Sequence, residues 1–169
     1  MPLHGRFELN NADYSPLHFD GIGVFIAFSG NGVYRNKGGC GAIVQQGPIP
    51  PGIYHIVDRP TGSVGNRLRS MAIDTYKSTF YYHIDHSEWF ALYRADGLID
   101  DNTWINGIER GGFRLHPGQI SEGCITLPHR SDFLRLRDSL LQTDKSIIAE
   151  SNIDTYGTIE VIAYGDTCP

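Results

Sequence analysis

Short runs of aliphatic, β-branched and aromatic residues alternate with turn residues along most of the chain. Twenty glycines and nine prolines separate these runs. Short apolar runs between Gly and Pro clusters are typical of strands joined by turns, so the pattern predicts a mainly β fold. The predicted strands are residues 6–9, 24–28, 42–45, 53–58, 80–85, 88–94, 112–116, 123–127 and 158–164.

One segment follows helical spacing instead. Phe133, Leu136 and Leu140 recur at intervals of three and four residues, which places them on one face of a helix. Pro128 precedes the segment, and Ser131 is of a residue type that caps helix N-termini. We therefore predict one α-helix from residue 131 or 132 to residue 142.

Composition and charge narrow the class of protein. The chain has 169 residues, 40% hydrophobic and 20% charged, without a repeat or linker, so we expect a single domain over residues 1–169. A net charge of −5 and the absence of a Lys/Arg run argue against nucleic acid or an anionic membrane as the main partner. The apolar run 24–28 is too short to cross a bilayer and follows polar residues, so we expect neither a membrane span nor a signal peptide.

The chain contains three cysteines, Cys40, Cys124 and Cys168. An odd number leaves one cysteine over if a disulfide forms. We take a bridge between Cys40 and Cys168 as a hypothesis, which leaves Cys124 as the reactive thiol.

Cys124 follows His116 by eight positions (124 − 116), a spacing that suits a nucleophile and its base. An ordinary thiol has a pKa near 8.5, and attack on a carbonyl carbon needs that pKa lowered by roughly two to three units, which a neighbouring imidazole supplies. If residues 112–116 and 123–127 are strands, alternation sends both side chains to the face away from the aliphatic residues. We expect a tight turn at Pro117 and Gly118 to bring the two strands side by side.

The residues around Cys124 favour the same chemistry. Three arginines, Arg110, Arg114 and Arg130, lie within residues 110–130 beside a single acid, Glu122, and a positive field favours thiolate.

The backbone amides of Gly123 and Cys124 are candidates for an oxyanion hole. Three partners are open for the other ring nitrogen of His116: Ser121, a backbone carbonyl, or a distant acid. The alternative for the whole segment is an inert buried thiol with a histidine that ends a strand.

Two other groups of residues are considered. His83, Asp85 and His86 offer metal-ligand atoms, but strand alternation turns His86 away from the other two, so we expect no metal and no cofactor. The aromatic residues between 76 and 93 are expected to pack in the core, with one or two rings forming a wall of a cleft. They are Tyr76, Phe80, Tyr81, Tyr82, Trp89, Phe90 and Tyr93.

The motif of His116, Ser121, Gly123, Cys124 and Ile125, preceded by Pro50-Pro51-Gly52-Ile53-Tyr54, resembles the L,D-transpeptidase (YkuD-type) family of cell-wall enzymes. Four further segments between residues 28 and 117 resemble the small type VI secretion L,D-transpeptidase effectors called Tlde1. They are Phe28-Ser-Gly-Asn-Gly32, Arg35-Asn36, Trp104-Ile-Asn-Gly-Ile-Glu-Arg110 and Phe113-Arg-Leu-His-Pro117.

This resemblance implies an L,D-transpeptidase-like β-sandwich with one helix after the strand that carries the catalytic cysteine. It implies attack by Cys124 on the peptidoglycan stem peptide, between diaminopimelate and D-alanine, to give a thioester. Water then gives L,D-carboxypeptidase activity, and a D-amino acid gives exchange. It further implies synthesis in the cytoplasm, delivery by the type VI machinery to the periplasm of a target bacterium, and an immunity protein.

Three residues are candidates for substrate binding. Arg69 and Arg114 suit bidentate pairing with a substrate carboxylate. Thr126 stands two residues after the cysteine, where the larger family commonly has Arg or Asn, and the gap from His116 to Cys124 is shorter than usual in that family.

Two rival functions remain open. An NlpC/P60-type endopeptidase also uses Cys and His, but there the cysteine precedes the histidine, whereas here His116 comes first. The second rival is a β-sandwich binding module without enzymatic activity, in which Cys124 only packs.

Overall fold

The structure, a computed structural model, describes residues 2–59 and 88–169. Within these residues the chain forms twelve β-strands, one α-helix and a short 3-10 helix, Gly32–Tyr34. The strands are β1 (Leu3–Leu9), β2 (Ser15–Phe19), β3 (Gly23–Ala27), β4 (Gly52–Asp58), β5 (Phe90–Arg94), β6 (Asn102–Ile105), β7 (Ile108–Gly111), β8 (Arg114–Pro117), β9 (Ile125–Leu127), β10 (Ser146–Ile147), β11 (Asp154–Thr155) and β12 (Gly157–Ala163). The helix α1 (Arg130–Leu141) follows β9. The predicted mainly β fold with one helix after the cysteine segment is confirmed.

Eight strands form one sheet in the order β3-β2-β1-β12-β4-β5-β8-β9. The pairs β1 with β12 and β8 with β9 are parallel, and the other neighbours in the sheet are antiparallel. Phe28, next after β3, bridges Thr126 of β9 through backbone hydrogen bonds in both directions, each 2.9 Å long. The sheet therefore curls until its two edge strands meet, which gives a barrel-like form.

Alternating side chains of this sheet fill the core. Phe7 and Leu9 of β1, and Ile159 of β12, have no exposed surface. Phe133, Leu136 and Leu140 of α1 are buried in the same core, and α1 lies against β8 and β9. Each such side chain contributes about 1.5 to 3 kcal/mol on burial, so the helix fixes the two strands that carry the candidate site.

The helix begins one residue earlier than predicted and without the predicted cap. His129 is the N-cap residue, with extended backbone and no side-chain cap hydrogen bond. Ser131 lies inside the first turn, so its assignment as the cap is wrong. His129 has extended backbone and lies two residues beyond the end of β9 at Leu127, so the helix begins at Arg130.

The strand predictions are correct for most of the sheet and wrong in one place. Residues 42–45 form turns, not a strand, because the amides of Ile43 and Gly47 bond back to the carbonyls of Cys40 and Ile43. Gln45 also has a φ of 65°, which a strand excludes. The predicted strand 80–85 lies outside the described residues.

Several strands were missed, among them β2. It contains Pro16, a residue type that is rare inside strands. Pro16 pairs with Ile26 of β3, whereas the pairing of β2 with β1 stops at Leu17. Proline is tolerated at this position because no β1 neighbour needs its missing N–H.

The disulfide between Cys40 and Cys168 is confirmed, with Cα atoms 5.0 Å apart and a sequence separation of 128. It fixes residues 40–48, which follow the 3-10 helix, to the segment that follows β12. In the part of the chain that the structure describes, no helix has both the length and the apolar character to cross a bilayer.

Candidate functional site

Cys124 and His116 lie on neighbouring parallel segments. Cys124 immediately precedes β9, and His116 of β8 pairs in register with Thr126 of β9. Because side chains alternate, Cys124 and Thr126 share a face with His116, while Leu115 and Ile125 turn into the core. The prediction that both candidate catalytic side chains lie away from the aliphatic residues matches this register.

The connection between the two strands differs from the predicted tight turn. β8 and β9 run parallel, so residues 118–124 carry the chain back along β8 before β9 starts. Gly118 donates to the carbonyl of Leu127 over 3.0 Å, and Ile120 is partly exposed at the edge of the cleft. A tight turn at Pro117 and Gly118 would have made the strands antiparallel.

The imidazole of His116 is buried, with 5% of its surface exposed, and it contacts a backbone carbonyl and an aromatic ring. Its Nδ1 lies 2.8 Å from the carbonyl oxygen of Pro117. A carbonyl only accepts, so Nδ1 carries a hydrogen and donates it, and Nε2 is the nitrogen that takes up a proton. The ring of Trp89 stacks on the imidazole at 4.0 Å between centroids.

The structure places the Thr126 side chain beside His116 and the Ser121 side chain beside the backbone of Cys124. Thr126 is fully buried, and its Oγ1 lies 3.2 Å from Nε2 of His116. The side chain thus contacts the histidine, whereas the sequence analysis considered it for substrate binding. Ser121 donates to the carbonyl of Cys124 over 2.7 Å and accepts from the amide of Gly30 over 3.0 Å. Of the three partners considered for His116, the backbone carbonyl is found among the described residues, and Ser121 fixes the backbone of Cys124.

The segment that supports Ser121 is itself held by side chains. Ser29 accepts from the amide of Ile49 over 2.8 Å, and its own amide donates to Asn36 Oδ1 over 2.9 Å. Both polar side chains are fully buried and bonded, so they fix residues 28–36 beside β9.

Gly123 has a φ of 118°, a conformation that residues with a side chain rarely adopt. A Cβ at this position would collide with Nη2 of Arg110 and come within 3.3 Å of the Gly47 carbonyl. Glycine is therefore required here both by conformation and by the close approach of Arg110.

Arg110 is 4% exposed and donates to the carbonyls of Gly41, Gly47 and Pro48 over 2.6, 3.1 and 3.3 Å. Burial lowers the pKa of its guanidinium, while the charges of Tyr54 and Cys124 act in the opposite direction. The arginine stays protonated, because the ordinary pKa of an arginine lies far above neutral pH.

Arg114 is already paired. Its two terminal nitrogens each lie 2.8 Å from one oxygen of Asp101. Burial alone lowers the pKa of Arg114, but its hydrogen bonds to Asp101 and the charge of that carboxylate outweigh burial and raise it. A substrate carboxylate at Arg114 therefore has to share the guanidinium with Asp101.

These residues surround a cleft of about 370 Å³. Cys124, His116 and Trp89 line it together with Arg110 and Arg114. Cys124 is partly exposed there, and its Sγ lies 3.9 Å from the carbonyl oxygen of Gly112. The expectation that an aromatic ring forms a wall of the cleft applies to Trp89, whereas Phe90 is in the core.

The sequence analysis missed the hairpin of β6 and β7, which supplies Glu109 and Arg110 to the cleft. A signal for it was present: Asn106 and Gly107 both have positive φ, 50° and 79°, as a two-residue hairpin turn requires. The Asn-Gly pair between two short apolar runs predicts such a turn. The pairing of Arg114 with Asp101, which no spacing indicates, was missed as well.

Other predicted residues lie outside the described part of the chain. They are Arg69, the candidate ligands His83, Asp85 and His86, and the aromatic residues Tyr76, Phe80, Tyr81 and Tyr82. Among residues 2–59 and 88–169, no three His, Cys, Asp or Glu side chains are grouped so that they could hold a metal ion.

Together, the fold and the cleft define a barrel-like β domain with a cysteine and a histidine on neighbouring parallel segments. A family model described as the Tlde1 domain matches residues 23–151, well over half of the chain. The chain belongs to the Tlde1 domain family. This membership indicates a type VI secretion effector with a role related to the cell wall. No curated protein and no solved structure matches the chain.

Proposed function

We propose that this protein is a cysteine-dependent L,D-carboxypeptidase and L,D-transpeptidase that acts on tetrapeptide stems of peptidoglycan. The observation that carries the proposal is the arrangement of Cys124 and His116 in one cleft, with the histidine ring held by the Pro117 carbonyl. A nucleophile, a base and a group that orients the base are the parts that covalent acyl transfer needs.

The chemistry proceeds in two stages. Nε2 of His116 takes the proton of the Cys124 thiol, and the thiolate attacks the carbonyl between diaminopimelate and D-alanine. The C–N bond breaks, His116 returns the proton to the departing amine, and a thioester remains on Cys124. Water then releases a tripeptide, or the amine of a D-amino acid releases an exchanged tetrapeptide.

The amides of Gly123 and Cys124 are the proposed donors to the oxyanion that forms during attack. The hydrogen bond from Ser121 to the Cys124 carbonyl supports this role, because it fixes the orientation of that stretch of backbone. Arg114 and Arg69 remain proposed ligands of substrate carboxylates. Thr126 is assigned to His116 instead, because its side chain does not reach the cleft.

In this proposal the effector is delivered by the type VI machinery into the periplasm of a neighbouring bacterium. There it removes the terminal D-alanine that cross-linking needs, and an immunity protein protects the producing cell. The Cys40–Cys168 disulfide supports this destination, since disulfides persist in the periplasm and are rare in the cytosol.

The proposal is tested by incubating purified protein with tetrapeptide muropeptides, with and without a free D-amino acid, and following the products by mass spectrometry. We expect loss of one alanine, or its replacement by the added amino acid. Cys124→Ala and His116→Ala should lower the rate at least about a thousandfold. Cys124→Ser is the matched control, because it keeps the size of the side chain but provides a poor nucleophile.

Other outcomes would favour the rival functions. Cleavage elsewhere in the stem would indicate an endopeptidase of the NlpC/P60 kind. Unchanged muropeptides, together with toxicity that Cys124→Ala leaves intact, would indicate a binding module.

A further inference from the structure

Three arginines lie close to Cys124 in the sequence, and in the structure they differ in burial and in their acidic partners. Arg114 is paired with Asp101 at 2.8 Å, and Arg130 is paired with Glu88 at 2.7 Å. Arg110 is the most deeply buried of the three. Among residues 2–59 and 88–169, no carboxylate forms an ion pair with it.

The surroundings of Arg110 satisfy its hydrogen bonds without neutralising its charge. Three carbonyl oxygens, those of Gly41, Gly47 and Pro48, accept from its two terminal nitrogens. The ring of Phe113 lies 5.3 Å from the centre of the guanidinium. Carbonyl groups and an aromatic face stabilise a cation, but they carry no net negative charge.

The guanidinium is also in direct contact with the segment that carries the thiol. Nη2 of Arg110 occupies the space that a side chain at position 123 would need, so it lies against the backbone of Gly123. Arg110 and Cys124 line the same cleft. A buried cation one residue away from a thiol interacts with it through protein and not through water. Charges interact more strongly through protein, because its dielectric constant is lower.

We propose that Arg110 is a positioning residue whose buried guanidinium stabilises the Cys124 thiolate, with that thiolate as its missing counter-charge. This inference rests on the proposed function in taking Cys124 as the nucleophile. The direction of the charge coupling between the two side chains agrees with it, because the Cys124 charge favours the protonated form of Arg110. Such coupling is reciprocal, so Arg110 favours the ionised thiol by the same amount.

Among the described residues, four other charged or titratable side chains line the cleft with the thiol. His116 and Arg114 belong to β8, Glu109 belongs to β7, and Glu122 lies in the connection before β9. His116 and Arg114 favour the thiolate, although Asp101 offsets much of the Arg114 charge. Glu109 and Glu122 are exposed and oppose it weakly through water. Arg110 differs from Arg114 because it is buried and has no acidic partner among the described residues.

The test is the pH dependence of Cys124 alkylation by iodoacetamide, followed by mass spectrometry of the intact protein. The other two cysteines are in the disulfide, so the modification reports on Cys124. In Arg110→Gln we expect the thiol pKa to rise by about one to two pH units, the range expected when an opposite charge near a titrating group is removed. At pH 7 the alkylation rate should fall as well, by up to about 25-fold if the wild-type thiol pKa lies two units below its usual value of about 8.5.

Two further variants separate charge from structure. Arg110→Lys keeps the charge and loses the planar fork, so the thiol pKa should stay within about half a pH unit of the wild type while the melting temperature falls. Arg130→Gln removes an exposed, paired arginine and should leave the thiol pKa unchanged. Circular dichroism and thermal melting establish which variants are folded.

An Arg110→Gln protein that folds and keeps the wild-type thiol pKa would overturn the inference. Equal rises in the Gln and Lys variants would also overturn it, because they would mean that Arg110 acts through structure alone. If Arg110→Gln does not fold, the Lys variant decides: a retained thiol pKa supports the inference, and a rise of about one pH unit or more overturns it. The titration uses no peptidoglycan, so its result is independent of whether the proposed reaction occurs.

Discussion

Backbone carbonyl groups hold two of the side chains that line the cleft with Cys124. The Pro117 carbonyl orients His116, and three carbonyls hold Arg110. The carbonyl of Cys124 is itself held by Ser121. Carbonyl partners accept hydrogen bonds without adding a negative charge, so the positive charge beside Cys124 is preserved. An acid in any of these places would raise the cost of forming a thiolate.

Replacement of Thr126 tests the contact with His116. Thr126→Val keeps the shape of the side chain and removes the hydroxyl 3.2 Å from Nε2. One neutral hydrogen bond is worth about 1 kcal/mol, so we expect kcat to fall roughly fivefold with KM little changed. Turnover of tetrapeptide muropeptides measures this.

Thr126→Ser is the matched control, because it keeps the hydroxyl and should retain most of the activity. A fall in both variants alike would show that the methyl group matters and the hydrogen bond does not.

Replacement of Gly123 tests the fit between the cysteine segment and Arg110. Gly123→Ala has to adopt a φ of 118° and displace Nη2 of Arg110. We expect the free energy of unfolding to fall by about 2 to 4 kcal/mol and the activity to be lost. Urea denaturation and the muropeptide assay measure the two effects.

Gly97→Ala provides the comparison. Gly97 also has a positive φ, 99°, but nothing lies within 4 Å of its missing Cβ. This variant should lose only about 1 kcal/mol. Equal losses in the two variants would mean that strain, and not the contact with Arg110, explains the requirement for glycine.

At the level of elements, the hairpin of β6 and β7 supplies charged side chains to the cleft from outside the main sheet. It forms its own two-stranded sheet, and its second strand carries Arg110 and Glu109. Thr103 pairs with Arg110 across the hairpin and is buried, so one face packs inward while Trp104 on the other is exposed. The turn at Asn106 and Gly107 therefore sets the position of the buried cation.

Sequence patterns identified the two strands of the site and the faces of their side chains. Alternation in residues 112–116 and 123–127 is a local property, and it placed Leu115 and Ile125 in the core correctly. The parallel direction of β8 and β9 was not predictable in this way, because a pattern of period two is the same for both directions.

Contacts between distant residues were the hardest to predict. Arg110 bonds to carbonyls 62 to 69 residues away, and Gly30 bonds to Ser121 across 91 residues. Neither contact has a periodic signature, since each depends on how the whole sheet curls. The disulfide was found by counting cysteines, which requires no geometry.

On the scale of the whole molecule, the disulfide connects the C-terminal segment to the turns beside the cleft. Cys40 precedes residues 41–48, whose carbonyls hold Arg110 and whose Val44 and Gln45 line the cleft. Side chains at Gly38 and Gly39 would collide with the backbone of residues 165 and 166, so the two segments pack closely. The covalent bond therefore fixes a support of the candidate site.

Removal of this bond should weaken the fold. Cys40→Ser with Cys168→Ser opens a loop of 128 residues. We expect the free energy of unfolding to fall by about 2 to 4 kcal/mol, since the chain-entropy cost of such a loop is about 5 kcal/mol at most. Urea denaturation of the double variant, and of reduced wild-type protein, measures the loss.

Cys124→Ser serves as the control, because this cysteine is outside the disulfide and its replacement should change stability by less than about 1 kcal/mol. A double variant as stable as the wild type would show that packing alone holds the C-terminal segment.

The pairing of β1 with β12 has a consequence for synthesis of the chain. These strands are neighbours within the main sheet, yet His4 and Thr158, which pair between them, are 154 residues apart in sequence. Leu3–Leu9 is synthesised well before Gly157–Ala163, so the edge of β1 that pairs with β12 has no partner until β12 has been synthesised. Contacts of such long range form late in folding. The sheet, and the cleft on it, is therefore completed only after translation of β12, so a partly synthesised chain cannot present the finished site.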